Sequence, residues 1–285
     1  LELAAPTAPP EDEGCATAPE LALAETVDLT LSDHVDAVNL GCLPGAPDST
    51  HRLTLDAPSD VLLVGASSND DTVAVSLGGA SCAATTRLAC GVSTSTPISS
   101  TQVYTSAARA RAFGVPAGTY RAVAESASGD PISLTAFARS ARPTTLVAFA
   151  DDCSAPFEIP AEGGHFEGNT ANANADYDAG CDVGNQAKGG APDQVLHLTL
   201  TAKSRVVLDM AGSNYSTMLS VRTGATCPGT ELPQACAAGY MPDRSFLDLE
   251  LGPGDYYILV DGYAGDSGAW SLDAYVAPDA APTSP

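Results

Sequence analysis

The sequence predicts an all-β protein made of two tandem antiparallel β-sandwich domains of jelly-roll type. Three observations carry this: a four-cysteine pattern used twice, a long internal alignment, and short alternating apolar runs separated by turn residues. The eight cysteines stand at 15, 42, 82, 90, 153, 181, 227 and 236. Their spacings run 27, 40 and 8, then 28, 46 and 9. The stretch 46–82 aligns without a gap on 191–227, at a constant offset of 145 and with 17 of 37 positions identical. Near each repeat's end, "VPAGTYRAVAES" answers "LGPGDYYILVDG".

Taken in order, residues 1–14 are Pro-rich and acidic and read as an N-terminal tether. Residues 15–140 form the first repeat, with strand-like runs "RLTL", "DVLLVGA" and "TVAVSL". In "GTYRAVAES", Tyr120, Ala122 and Ala124 share one face, and Arg121, Val123 and Glu125 share the other, which is expected to meet solvent. "SAARARAF" (106–113) is expected as a loop or a single helical turn. Residues 141–152 contain Pro143 and read as the inter-domain connection. Residues 153–277 repeat the pattern with "HLTL", "RVVLDMA" and "TMLSV". In this copy Tyr256, Ile258 and Val260 share one strand face, and Tyr257, Leu259 and Asp261 the other. Residues 278–285 read as a C-terminal tail.

An even cysteine count at repeated spacing, with no CxxC, suggests disulfides and an oxidising compartment rather than zinc or thiol redox chemistry. Four cysteines allow three pairings per repeat. The favoured one is first-to-second and third-to-fourth: Cys15–Cys42, Cys82–Cys90, Cys153–Cys181 and Cys227–Cys236. The short pairs would bracket "AATTRLA" and "PGTELPQA", read as loops at a strand end.

The net charge of −23, with only 12 Lys and Arg, argues against nucleic acid and against anionic membranes, both of which need basic patches. It permits multivalent cations or basic partners. No apolar run is long enough to span a bilayer, so no membrane insertion is expected.

"GDSG" at 265–268 copies the nucleophile motif of chymotrypsin-like proteases, but no histidine stands in a recognisable partner motif. It is read as a hairpin turn. His34, His51, His165 and His197 are scattered and are read as core-edge or surface residues. The strongest metal candidate is the stretch 168–193. There Asp176, Asp178, Asp182 and Asp193, with Asn172 and Asn174, supply the oxygens that calcium takes. Asn and Asp also favour loops for local reasons alone. In the first repeat Asp28, Asp33 and Asp36 make a weaker set. The second repeat is richer in aromatics, which means either a larger aromatic core or exposed contacts. Tyr215, Tyr240 and Tyr263 lie in expected loops and are the candidate ligand-binding residues.

The runs "APDQVLHLTL", "SNYSTMLSVRTGATC", "PGTELPQAC", "LGPGDYYILVDGY" and "GAWSLDAYV" resemble the bacterial pre-peptidase C-terminal domain and its secreted, cysteine-bearing relatives. The first repeat matches less fully, through "APDSTHRLTL", "SNDDTVAVSL" and "PAGTYRAVAES". The resemblance implies non-catalytic modules of secreted and surface proteins, some binding calcium and some binding polymers such as collagen or glycans. It implies a calcium ligand at the Asp before the first core strand, Asp193, and at Asp48 in the first copy.

The expected function is a non-catalytic, secreted or bacterial cell-surface protein that binds or adheres to an extracellular protein or polysaccharide, tethered through its N-terminal segment. The alternatives are a subunit of an extracellular filament, binding copies of itself, and an accessory region of a larger secreted hydrolase. The second repeat, with its Asn/Asp loop and tyrosines, is the one expected to carry function.

Overall fold

A computed structural model describes residues 9–38, 40, 42–67, 69, 71–81, 86–99, 102–105, 107–182, 190–240 and 244–279. The chain divides into two compact units, Leu1–Ala141 and Arg142–Pro285. Each is a two-sheet, almost wholly antiparallel sandwich, as the alternating runs predict.

The first unit contains β1 (Thr26–Leu29), β2 (Asp48–Leu55), β3 (Ser59–Ser67), β4 (Val73–Gly78), β5 (Arg87–Val92), β6 (Ser95–Ser99), β7 (Gln102–Thr105), β8 (Ala108–Val115), β9 (Gly118–Ser126) and β10 (Ile132–Ser140). One sheet runs β1-β10-β3-β8, the other β2-β9-β4-β5, and β6 with β7 makes a separate ribbon. Leu53, Val61, Leu63, Val75, Leu77 and Leu134 fill the space between the sheets.

The second unit contains β11 (Thr145–Leu146), β12 (Phe157–Glu158), β13 (Gly163–Asn169), β14 (Gln194–Leu200), β15 (Ser204–Asp209), β16 (Thr217–Thr223), β17 (Thr230–Gly239), β18 (Phe246–Leu251), β19 (Gly254–Gly262) and β20 (Ala269–Pro278). Its sheets run β11-β13-β20-β15-β18 and β12-β14-β19-β16-β17. Phe166, Tyr215, Tyr256 and Trp270 join the aliphatic residues of this core. The aromatic excess of the second repeat is therefore largely interior.

Several expectations are corrected. "SAARARAF" is not a loop or helical turn. It enters β8, with Ala108, Ala110 and Ala112 facing the core and the arginines between them facing out. Small core residues hide the strand's alternation from a hydrophobicity reading. The outer face of β9 is not solvated either. Val123 is fully buried beneath Cys15, Val38 and Leu40, and Glu125 is buried too. In the second unit Tyr257 and Leu259 are likewise covered, with Tyr177 and Cys227 packed on them. In both units the segment between the first two cysteines thus lies across the outside of a sheet.

The gapless alignment also fails locally. Val73 pairs with Ser126 and Thr217 with Gly262, so β4 and β16 correspond at an offset of 144 (217 − 73), not 145. Val75 and Leu77 point into one core, Leu219 and Val221 into the other. A one-residue slip reverses which side chains face inward. The structure therefore places a single-residue length difference in the turn before this strand.

The expected disulfide pairing is overturned. The bonds are Cys42–Cys90, Cys153–Cys227 and Cys181–Cys236. Cys15 is also disulfide-bonded, and Cys82 lies outside the described residues. The second unit therefore pairs first with third and second with fourth. Its β16–β17 hairpin explains why. "PGTELPQA" is mostly strand β17, in which Cys236 stands opposite Ser220, well away from Cys227 beyond the end of β16. Each hairpin cysteine instead meets the loop crossing the sheet.

Nor do residues 9–14 hang free. Asp12 accepts the Thr50 amide on its carbonyl at 2.6 Å, and Glu13 Oε1 accepts the Val35 amide at 3.0 Å. Residues 1–8 and 280–285, which hold most of the expected tether and tail, lie outside the described residues. In the expected connection, β11 pairs in parallel with β13, and Val147 and Ala150 enter the second core.

Peptide mapping without reduction should recover Cys181 linked to Cys236 and Cys153 linked to Cys227; a Cys227–Cys236 peptide would refute this pairing. Replacing Cys181 and Cys236 together by Ser should lower unfolding stability by about 4 kcal/mol, since a loop of this length is released in the unfolded chain.

Candidate functional site

Each unit clamps its cysteine loop with one buried aspartate. In the second unit Asp193, fully buried, accepts the backbone amides of Asp176 and Tyr177 on Oδ2 at 2.8 and 2.9 Å. In the first, Asp48 Oδ2 accepts the Val38 amide at 2.9 Å. Both occupy the same place, just before or at the start of the first long strand. In each case the other carboxylate oxygen is buried with no hydrogen-bond partner.

A second acid faces each aspartate from the neighbouring strand. Asp48 stands opposite Glu125, whose oxygens take the Cys42 and Leu43 amides. The β14–β19 register, continued by one residue, sets Asp193 opposite Asp261. Burial dominates the titration of all four. Asp193 is pushed up to about 7 by burial, and the charges of Asp176 and Asp151 add to this against its two amide bonds. Asp261 is pushed up to about 8, by burial and then by Asp193, Asp182 and Asp178. Asp48 rises to about 7, and Glu125 rises as well, burial leading in both.

The stretch expected to bind calcium is organised around this aspartate. Asp193 gives one oxygen to backbone amides, and Asp176 takes part through its N–H rather than its carboxylate. Among the described residues no three His, Cys, Asp or Glu side chains gather closely enough to hold a metal ion. Asp178, Asp182 and Asp193 nonetheless lie close enough to Asp261 for their charges to raise it. The sequence signal missed in this region was the acid that ends the same strand of both repeats, Glu125 and Asp261.

The three tyrosines separate. Tyr215 is 3% exposed and belongs to the core, which corrects its reading as a loop contact. Its loop folds inward because the ring fills space beside Gly268, where even a Cβ would crowd Tyr215 and Asn214. Tyr240 and Tyr263 are half-buried and meet edge to face at 4.5 Å between ring centres. Burial and the Tyr263 hydroxyl push Tyr240 up to about 12.

"GDSG" is a turn. Asp266 Oδ2 accepts the Ser216 amide, and Oδ1 accepts the Ser267 amide. The histidines sit elsewhere: His165 bonds Asp273 at 3.0 Å, and His197 bonds Glu158 at 2.7 Å and stacks on Tyr257. Ser49, His51, Asp12 and His34 form a buried chain that superficially resembles a catalytic set. The Ser49 hydroxyl donates to Asp12 at 2.6 Å and is fully buried, so no substrate reaches it. Burial lowers His51, against the charge of Asp12.

The remaining feature is an open cleft of about 580 Å³ in the second unit. Residues 146–149 form one wall and the end of β13 another. Trp270 closes the floor, its indole Nε1 donating to Gln194 Oε1 at 2.7 Å. Gly168 stands opposite Trp270, and a side chain there would collide with the indole. At the rim, Leu146 is 73% exposed and Phe149 78%. Sequence reasoning missed these residues because "TTLVAFA" sits in the presumed connection. The available signal was an apolar run where a linker should be polar.

No family model matches the sequence, and no curated protein matches it. Among solved structures, the pre-peptidase C-terminal domain of a collagenase from Bacillus anthracis is similar over 47% of this chain and 97% of its own, at 10% identity and a TM-score of 0.26. The CUB1-EGF-CUB2 region of human MASP-1/3 is similar over 89% of this chain and 99% of its own, at 10% identity and a TM-score of 0.25.

The buried acids give a signed pH dependence. Their folded-state values lie above those of the unfolded chain, so their contribution is full below about pH 4 and is lost as pH rises through about 7 to 8. The melting temperature should fall across this window. Asp261→Asn, which stays neutral, should flatten the fall; an unchanged slope would show that Asp261 does not titrate there.

Proposed function

We propose that this chain is a non-catalytic module that acts outside the cell and holds an extracellular protein or glycan through its second unit. The exposed cleft carries the reading. Two large apolar side chains stand in water beside a concave floor, and binding sites are concave, largely pre-formed and few per protein. The disulfides and the strong negative charge suit an oxidising, extracellular setting. The serine, histidine and aspartate groups described above are each engaged in structural bonds, which favours binding over chemistry.

The test is a surface-binding screen of the whole chain against matrix proteins and polysaccharides, beside a Leu146→Ser/Phe149→Ser variant. The expected result is a captured ligand whose affinity falls by about tenfold or more in the variant, at unchanged melting temperature. Capture that ignores the double substitution would remove the cleft from the function.

A further inference from the structure

We propose that the cleft of the second unit takes a neutral oligosaccharide, a reading that rests on the second unit being a binding module. Its size falls within the usual range for small-molecule sites. What lines it decides the ligand class.

Backbone groups around the cleft are already bonded within the protein. Val147 N–H goes to the Glu167 carbonyl, Thr170 N–H to Gly268, Asn214 N–H to Ala269 and Asn174 N–H to Asp151 Oδ1. Among the described residues the backbone edge in these walls is β11, two residues long, which gives an added peptide strand little to pair with. The walls present side-chain amides instead. Asn172 and Asn214 are exposed at the cleft, and each carries an acceptor and a pair of donors. Such groups match adjacent sugar hydroxyls, which also both donate and accept.

Charge narrows the class further. Among the described residues the lining contains Asp151 and Glu167 and no Lys, Arg or His. Sulfated or uronic sugars would meet those carboxylates, one of them with the His165 imidazole 3.6 Å away, on a chain of net charge −23. Neutral sugars would instead donate hydrogen bonds from their hydroxyls, first to Glu167, since both Asp151 oxygens already accept from Asn174. Phe149 provides the apolar counterpart: an exposed ring at the rim, on which the C–H face of a pyranose can lie.

Trp270 is the only tryptophan in the chain and lines the cleft, so its emission follows changes at this site. The whole protein is titrated with cellohexaose, chitohexaose, xylohexaose and mannohexaose, and separately with heparin, alginate and gelatin peptides. Phe149→Ala and Asn214→Ala are measured in parallel, with melting temperature as the check on folding. The expected result is saturable change in Trp270 emission with at least one neutral sugar, weakened about tenfold in each variant. Binding only to the anionic polymers or to gelatin peptides overturns the ligand class and leaves the binding-module reading intact. Neutral-sugar binding that both variants retain overturns the site. If nothing binds here or in the matrix screen, both readings fall.

Discussion

The structure of each unit turns on a buried carboxylate that ties a crossing loop to the sheet beneath it. Asp193 and Asp48 sit where the chain enters its first long strand, and each accepts backbone amides from the segment before the second cysteine. That segment has little regular structure of its own, and its N–H groups would be orphaned under the covering chain. Supplying a buried carboxyl oxygen there satisfies them and fixes the loop's height above the sheet. The disulfides then anchor the same loop to the hairpin at the sheet's far side. Carboxylate and disulfide divide the work, one setting position and the other preventing escape.

This explains why both faces of β9 and β19 are buried in a fold of modest size. An antiparallel sandwich normally leaves one face of each sheet in water. Here the loop converts an outer face into a second, thin core, formed by Cys15, Val38, Leu40 and Val123 in one unit and by Val195, Tyr257 and Leu259 in the other. Glu125 and Asp261 are caught beneath it, and their raised titration follows first from being covered, with the charge of Asp36 adding to it in one unit and that of Asp193 in the other.

The sheets themselves were legible in the sequence, because period-2 runs and Gly/Pro punctuation are local signals. Tyr256, Ile258 and Val260 form the core face as their alternation implies. What the sequence hid was everything that depends on long-range covering. Arg121, Val123 and Glu125 look like a solvent face until the loop is placed on it. Cysteine pairing depended on the hairpin register that sets Cys236 opposite Ser220, which spacing does not encode. Alanines in β8 gave too weak a contrast to reveal a strand. The cleft was invisible because its walls come from the supposed connection, β13 and β20, brought together only by folding. Of the three tyrosines, Tyr215 was misplaced because an aromatic in a loop carries no local sign of which way it turns.

The one-residue offset between β4 and β16 bears on how such a chain avoids confusing its own halves. Adjacent domains with closely related strands are prone to exchange them while folding, giving stable but misassembled products. In its own structural register β16 would bring Thr217, Leu219 and Val221 to the places of Val73, Val75 and Leu77, whereas a seating one residue out would turn Met218, Ser220 and Arg222 inward. A buried arginine in that apolar layer is strongly unfavourable. The unequal turn length, together with aromatic bulk confined to one core, makes each half a poor template for the other. A one-residue difference in a single turn thus sets a register penalty on exchange between the copies.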